Sequence, residues 1–261
     1  GSFEVDRIVG EIGPAASNAV SLNMSQKIKA TRSEFQDLVI NGDTAVDANG
    51  FDGLDKALTG SDTEFRVNEV TNWVDLDTDA ATKFTALDAL DEFLHLLDGD
   101  PTIILGNAKA LAKVRAIVRR TGMYTRDPVE GLLGQGGRPI VRESYGGVIF
   151  ADPGTKAGTN DPIIPVEDRT VDGSPETGLT DLYAYRVGMD GFHGVSTTGG
   201  VRIRQFLPDF QTAGAVKLGE VELGPVAVAL KSTKAAAVFR NIKGKVLIST
   251  AFKLSVPTTL T

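Results

Sequence analysis

The chain has 261 residues, 41% hydrophobic and 23% charged, enough for one sizeable core or two smaller ones. Its formal net charge of -7 argues against nucleic-acid binding as the main task, because phosphate recognition needs a basic face. With no cysteine, disulfides, zinc thiolate sites and thiol catalysis are excluded.

No apolar run reaches the roughly 18–20 residues that a membrane span requires. The N-terminal GSFEVDRIVG has neither the basic nor the apolar region of a signal peptide. Glycine is abundant, at 29 residues, and falls mostly in turns between strand-like segments, which predicts a soluble α+β protein.

In chain order, Phe3 to Val9 begins with apolar/polar alternation and predicts a strand, stopped by Gly10 and Gly13. Pro14 suits a first helical turn. From there Val20, Met24, Ile28, Phe35, Leu38 and Val39 recur near multiples of 3.6, giving a helix of about 26 residues and roughly 40 Å. Its Ser, Thr and Asn content makes intrinsic helicity only fair, so packing along a narrow stripe has to hold it. Asn41-Gly42 is expected to stop it with a left-handed residue. A second turn follows, Gly50-Phe51-Asp52-Gly53-Leu54, with Phe51 and Leu54 as apolar anchors. Beyond Gly60, TEFRVNEVTNWVDL mixes strand-like and polar residues around the only tryptophan, Trp73.

Asp77-Thr78-Asp79 offers N-caps for a helix with Phe84, Leu87, Leu90, Leu94 and Leu97 on one face, ended by Gly99. Pro101 to Leu105 predicts a short buried strand. A third helix, from about Ala108 to Arg120, turns Leu111, Val114 and Val118 inward. Residues 124–180 read as loop-rich and mobile, with GLLGQGGRP, the strand-like YGGVIFADP and a long polar segment up to Leu179. From Asp181 onward the pattern turns to strands, in LYAYRVG, VRIRQF, EVELGPVAVA, AAAVFRNI and KVLISTAFKLSV. Alternation and β-branched residues there predict antiparallel pairing.

Motifs for chemistry are weak. His95 and His193 are the only histidines, and without a G-x-S-x-G elbow they read as structural or surface residues. Asp75, Asp77 and Asp79 form D-x-D-x-D, but an EF-hand then needs Gly and Glu where Ala80 and Ala86 stand. GLLGQGGRP fits neither phosphate-loop spacing, and no clear strand leads into it. Lys109, Lys113, Arg115, Arg119 and Arg120 make the third helix basic, yet no aromatic residues interleave with them; a solvated face or subunit contact is the simpler reading. Asn23-Met24-Ser25 matches a glycosylation triplet but lies mid-helix. No constellation carries chemistry. Composition and pattern alone leave a binding, scaffolding or assembly protein, with no catalytic, cofactor or metal residues assigned. A rival from another class is a soluble enzyme whose Asp75 and Asp77 bind a metal.

The long helix running into Asn41, Gly42 and Asp43, then Gly50, Phe51, Gly53 and Leu54, resembles the major capsid proteins of tailed double-stranded DNA phages, with the Hong Kong 97-type fold. The similarity continues through the helix near 80–98, PTIILGN, the helix at 108–120, Gly146 to Phe150, and the stretch from Leu218 to Gly244. That last stretch looks like a returning hairpin with a basic stop at Arg240, Lys243 and Gly244.

The resemblance implies an α+β fold with a long spine helix, a peripheral-domain antiparallel sheet and a mixed α/β axial domain. Residues 1–12 are part of an extended loop, 13–75 the peripheral domain and 76–204 the axial domain. Residues 205–244 are returning peripheral strands and 245–261 a C-terminal extension that adds a strand to a neighbour. Ile28, Phe35, Leu38 and Val39 pack the spine on the strands at 218–243. Family members start with an arm and a first extended-loop strand, so the chain is either truncated or short at its N-terminus. The removable delta segment is absent, and no crosslinking lysine or asparagine is assigned.

The implied function is a non-enzymatic head protein without cofactors, assembling with itself as pentamers and hexamers. Portal, scaffolding, maturation protease and decoration proteins are the implied partners. DNA contact is weak and non-specific, no membrane is involved, and the place is the virion capsid, assembled in the host cytoplasm. Encapsulin shells of bacterial compartments share the fold and are the alternative; the N-G-D turn favours phage.

Overall fold

A computed structural model describes residues 1–8, 14–74, 80–121, 125–133, 139–159, 161–197 and 203–244; for 14–19, 80–83, 120–121, 125–133 and 139–143 the description is of the backbone. Asp75, Asp77 and Asp79, the centre of GLLGQGGRP and the tail at 245–261 lie outside these residues.

Two long-range layers organise the chain. The larger is a mixed sheet with strand order β2-β14-β9-β4-β7-β6-β5, in which β3 also pairs with β14 and β8 with β9. Its strands are β2 (Glu64–Phe65), β3 (Thr71–Asn72), β4 (Ile103–Gly106), β5 (Thr125–Leu133), β6 (Pro139–Tyr145), β7 (Val148–Ala151), β8 (Glu167–Val171), β9 (Ser174–Tyr185) and β14 (Ala236–Lys243). The central strands read as continuous apolar runs because both faces are covered. Leu182, Ala184, Ala237, Phe239 and Ile104 point to one side, where helices α3 (Ala80–Leu94) and α4 (Ala108–Thr121) add Leu90, Phe93, Leu111 and Val114. Tyr183, Ala236, Val238 and Leu105 point to the other, onto Ile40, Leu54, Leu58, Ile163 and Ile164. Alternation along each strand therefore feeds two cores at once.

The smaller layer is a three-stranded antiparallel sheet of β1 (Ser2–Asp6), β12 (Val216–Leu223) and β11 (Ile203–Phe206), with β12 in the middle. Helix α1 (Pro14–Asn41) lies on one face of it: Val20, Met24 and Ile28 pack against Phe3, Val5 and Val221. The C-terminal end of α1 leaves this sheet and delivers Val39 and Ile40 to the second core. A separate ribbon pairs β10 (Phe192–Ser196) with β13 (Val226–Leu230).

Several expectations need correction. Residues 124–180 are largely sheet: β5 and β6 form a hairpin, a strand does lead into GLLGQGGRP, and β8 returns into β9 through Asp172 and Gly173. Both turn residues have positive φ, 46° and 77°, as a tight Asp-Gly hairpin requires. The stretch from Leu218 to Gly244 is not one hairpin, because β12, β13 and β14 each pair with a different partner. Phe84 is exposed; the buried face of α3 is centred on Ala86, Leu90 and Phe93, and Phe84 stands on the opposite side. Helix α3 also ends at Leu94, before a turn that still buries Leu97.

Candidate functional site

The turn after α1 is where the two layers are joined. Gly42 donates its N–H to the Leu38 carbonyl at 3.0 Å, the last step of the helical ladder. Gly53 then donates to the Gly42 carbonyl at 2.8 Å, closing the turn. The left-handed backbone expected at Gly42 is absent, and the glycine is needed for a different reason. A Cβ on Gly42 would stand 2.4 Å from the Phe51 carbonyl and 2.5 Å from that of Leu38; one on Gly53 would meet the Ile40 carbonyl at 2.5 Å. Two backbone segments touch here with no room for a side chain.

Carboxylates stitch the turn. Asp43 accepts from the Ala45 N–H at 2.9 Å and from Lys56 at 3.0 Å; Asp52 accepts from the Thr44 N–H and hydroxyl at 2.9 and 2.8 Å. Those backbone donors, followed by Lys56 for Asp43 and the Thr44 hydroxyl for Asp52, hold both acids below the ordinary carboxylate range. Phe51 lies against Phe35 with ring centroids 6.1 Å apart, and Leu54 opens the short helix α2 (Leu54–Leu58) fully buried.

A second strap runs along α1. Ser33, Asp37 and Asn41, four residues apart on one helix face, hold in turn the Thr155 carbonyl, Lys156 at 3.6 Å and the Ile163 carbonyl at 2.9 Å. Asn107 takes the Ile164 carbonyl at 2.7 Å from the other side, while its Oδ1 caps α4 through the Lys109 N–H. The polar segment around 154–164 is thus fastened, and Ile163 and Ile164 are core residues.

Behind the turn lies an ion network that sequence reasoning largely missed. In β14, Arg240 and Asn241 together oppose Asp181 of β9, a bulge with Asn241 at φ 56°. Arg240 donates from Nε to Glu64 at 2.8 Å and from Nη1 to Asp55 at 2.5 Å and Asp181 at 3.2 Å. Asp181, 3% exposed, also accepts from Arg169 at 2.7 and 2.9 Å and from the Asn241 N–H at 3.0 Å. Tyr183 donates to Asp55 at 2.7 Å. Burial, then the charges of Asp181 and Asp55, push the Tyr183 phenol well above its ordinary value. Burial opposes the Arg240 charge, but Tyr183, Asp181 and Asp55 outweigh it and raise its pKa. A lone Arg in AAAVFRNI and a lone Asp in GLTDLYAY were the available signal, since a charge inside an apolar run must find a partner.

Of the residues singled out, Asn41, Gly42, Asp43, Gly50, Phe51, Gly53 and Leu54 meet at this junction with Phe35 and Val39. Leu38 contributes its carbonyl. Ile28, midway along α1, packs on the three-stranded sheet instead. Among the described residues no group of three or more His, Asp or Glu is placed to hold a metal, and no helix is long and apolar enough to cross a membrane. What the arrangement can do is mechanical: it locks a long helix to a doubly covered sheet.

No family model and no curated protein matches the sequence. Solved structures do. A chain of the holo-SrpI encapsulin complex from Synechococcus elongatus PCC 7942 aligns with 93% of this chain and 72% of its own, at 16% identity and a TM-score of 0.59. The capsid of Myoviridae phage XM1 gives 92% and 71% coverage, 10% identity and 0.48. The satellite phage P4 procapsid that includes the size determination protein gives 93% and 74%, 9% and 0.47. The first of these, covering 93% of this chain, shows that it has the fold of a chain of that encapsulin complex.

Proposed function

We propose that the chain is a shell-forming structural protein, the major capsid protein of a tailed double-stranded DNA bacteriophage, tiling as pentamers and hexamers into an icosahedral head. The observation behind this reading is the alignment of 93% of the chain on a shell subunit. The junction supports it: α1, fastened at both ends, carries load between two separate packing units, as a tile shared between capsomers requires. On this reading residues 13–75 and 205–244 form the peripheral domain around α1, and 76–204 the axial domain at the capsomer centre. Residues 1–12 belong to an extended loop and 245–261 to a C-terminal extension. The net charge of -7 suits a shell that releases its DNA rather than gripping it. Portal, scaffolding, protease and decoration proteins are the partners this role brings, in the host cytoplasm and then the virion.

The second reading, an encapsulin-like compartment shell, is favoured by the TM-score of 0.59 to an encapsulin, whereas the Asn41-Gly42-Asp43 turn favours phage. Negative-stain microscopy of the purified full chain tests both: shells or pentamer and hexamer rings are expected, and a persistently monomeric species overturns both. Co-purification with portal or tail proteins marks the phage reading; co-purification with an enzyme cargo marks the other.

A further inference from the structure

The sheet of β1, β12 and β11 has two faces of different fate. Val221, Phe3 and Val5 lie under α1, whereas on the opposite face Val216, Leu218 and Phe206 are 55%, 59% and 51% exposed. Register sets Asp6 beside Val216, Glu4 beside Leu218, and Glu220 between Ser2 and Phe206. Glu222, in the next row, is answered by Arg204 at 3.8 Å. The open face is therefore an apolar stripe edged by the carboxylates of Glu4, Asp6 and Glu220. Its fitting occupant is apolar, positively charged and free of acids.

The chain carries such a segment. Beyond β14 the sequence reads KVLISTAFKLSVPTTLT, with Lys245 and Lys253 and no acidic residue. Val246 to Ile248 and the alternating Phe252, Leu254 and Val256 have strong strand propensity, and Pro257 ends the pattern. These 17 residues span on the order of 50 Å when extended. We propose that residues 245–256 dock on this open sheet face, with Phe252, Leu254 and Val256 covering Val216, Leu218 and Phe206 while Lys245 and Lys253, on the outer side of the segment, reach round its edge to Glu4, Asp6 and Glu220. The proposal goes beyond shell assembly and holds whether or not the chain builds a shell.

Zero-length carbodiimide coupling of the unmodified full chain, read by peptide mass mapping, is the first test. Amide links from Lys253 or Lys245 to Glu4, Asp6 or Glu220 are expected; links only to carboxylates elsewhere overturn the proposal. Because the chain has no cysteine, a second test uses Leu218→Cys with Phe252→Cys, and Phe84→Cys with Phe252→Cys as the control. Mild oxidation should give at least tenfold more disulfide for the first pair, and adding Glu4→Lys and Glu220→Lys should cut it at least fivefold. Equal yields, or a predominant bond between the Leu218→Cys positions of two copies, would overturn it. Mixing isotopically light and heavy chains identifies whether the donor is the same copy or a neighbour, and either donor supports the proposal.

Discussion

Gly42 and Gly53 are required by contact rather than by backbone angle. Gly42→Ala or Gly53→Ala forces a methyl group into a carbonyl, and urea denaturation should show a loss of about 1–3 kcal/mol or more, as for other overpacked sites. Gly60→Ala probes the other kind of glycine, with φ 75° and open space around it; about 1 kcal/mol is expected there. Arg240→Met leaves Glu64 buried without its cation and Asp181 with Arg169 alone, and should cost about 3–5 kcal/mol. Lys56→Ala breaks only an exposed bridge to Asp43 and should cost less than about 1 kcal/mol. Tyr183 gives a pH signature. Its native pKa lies above the ordinary 10.0, so folding favours the protonated phenol. Its contribution is intact below pH 10 and is lost as pH rises through the native value. Tyr185, pushed up to about 12 by burial, adds to the same limb. Urea midpoints between pH 9 and 12 should fall less steeply in Tyr183→Phe than in the parent. Asp43 and Asp52 act at the other end: both are depressed below 3.8, so the turn is secure above that pH and loosens as pH falls through their native values.

At the scale of elements, α1 is one helix with two employers. Its Val20, Met24 and Ile28 stretch belongs to the three-stranded sheet, and its Val39 and Ile40 end belongs to the doubly covered sheet. Proline within it removes a ladder bond and clashes with the preceding turn, costing about 3 kcal/mol or more. Ile28→Pro should raise hydrogen exchange first in β1 and β12, whereas Phe35→Pro should raise it first at the 42–54 turn. On the shell reading proposed above, both should abolish assembly into shells, as judged by microscopy, while alanines at Asp75 and Asp77 should leave assembly intact. Identical exchange patterns in the two proline variants would show that α1 transmits any break along its whole length.

For the whole molecule, on the shell reading proposed above, an acidic subunit packing against many copies must work against its own charge. Screening at 0.15 M salt shortens the reach of like charges to about 8 Å, from about 30 Å at 0.01 M. The fraction of chain in rings or shells, measured by analytical ultracentrifugation, should therefore rise over that range. A fall would show instead that the interfaces are held by attraction between opposite charges.

Local patterns carried a good deal of this fold. The amphipathic stripe of α1, the helix–strand–helix order through α3, β4 and α4, and the strands of the C-terminal third are all period-3.6 or period-2 signals within one segment. The Asp172-Gly173 hairpin was also written locally, but its polar flanks, still largely exposed, resembled a loop because only backbone pairing between β8 and β9 makes them strands. Sheet order was of another kind: β14 pairs with β9 because two apolar runs, far apart in the chain, are covered on both faces only once they lie side by side. The charges of Arg240 and Asp181 made sense only once a bulge set them opposite each other. Residue spacing decides which face of an element is apolar; only the assembled structure decides which other face it meets, because burial is a property of pairs of surfaces and not of one.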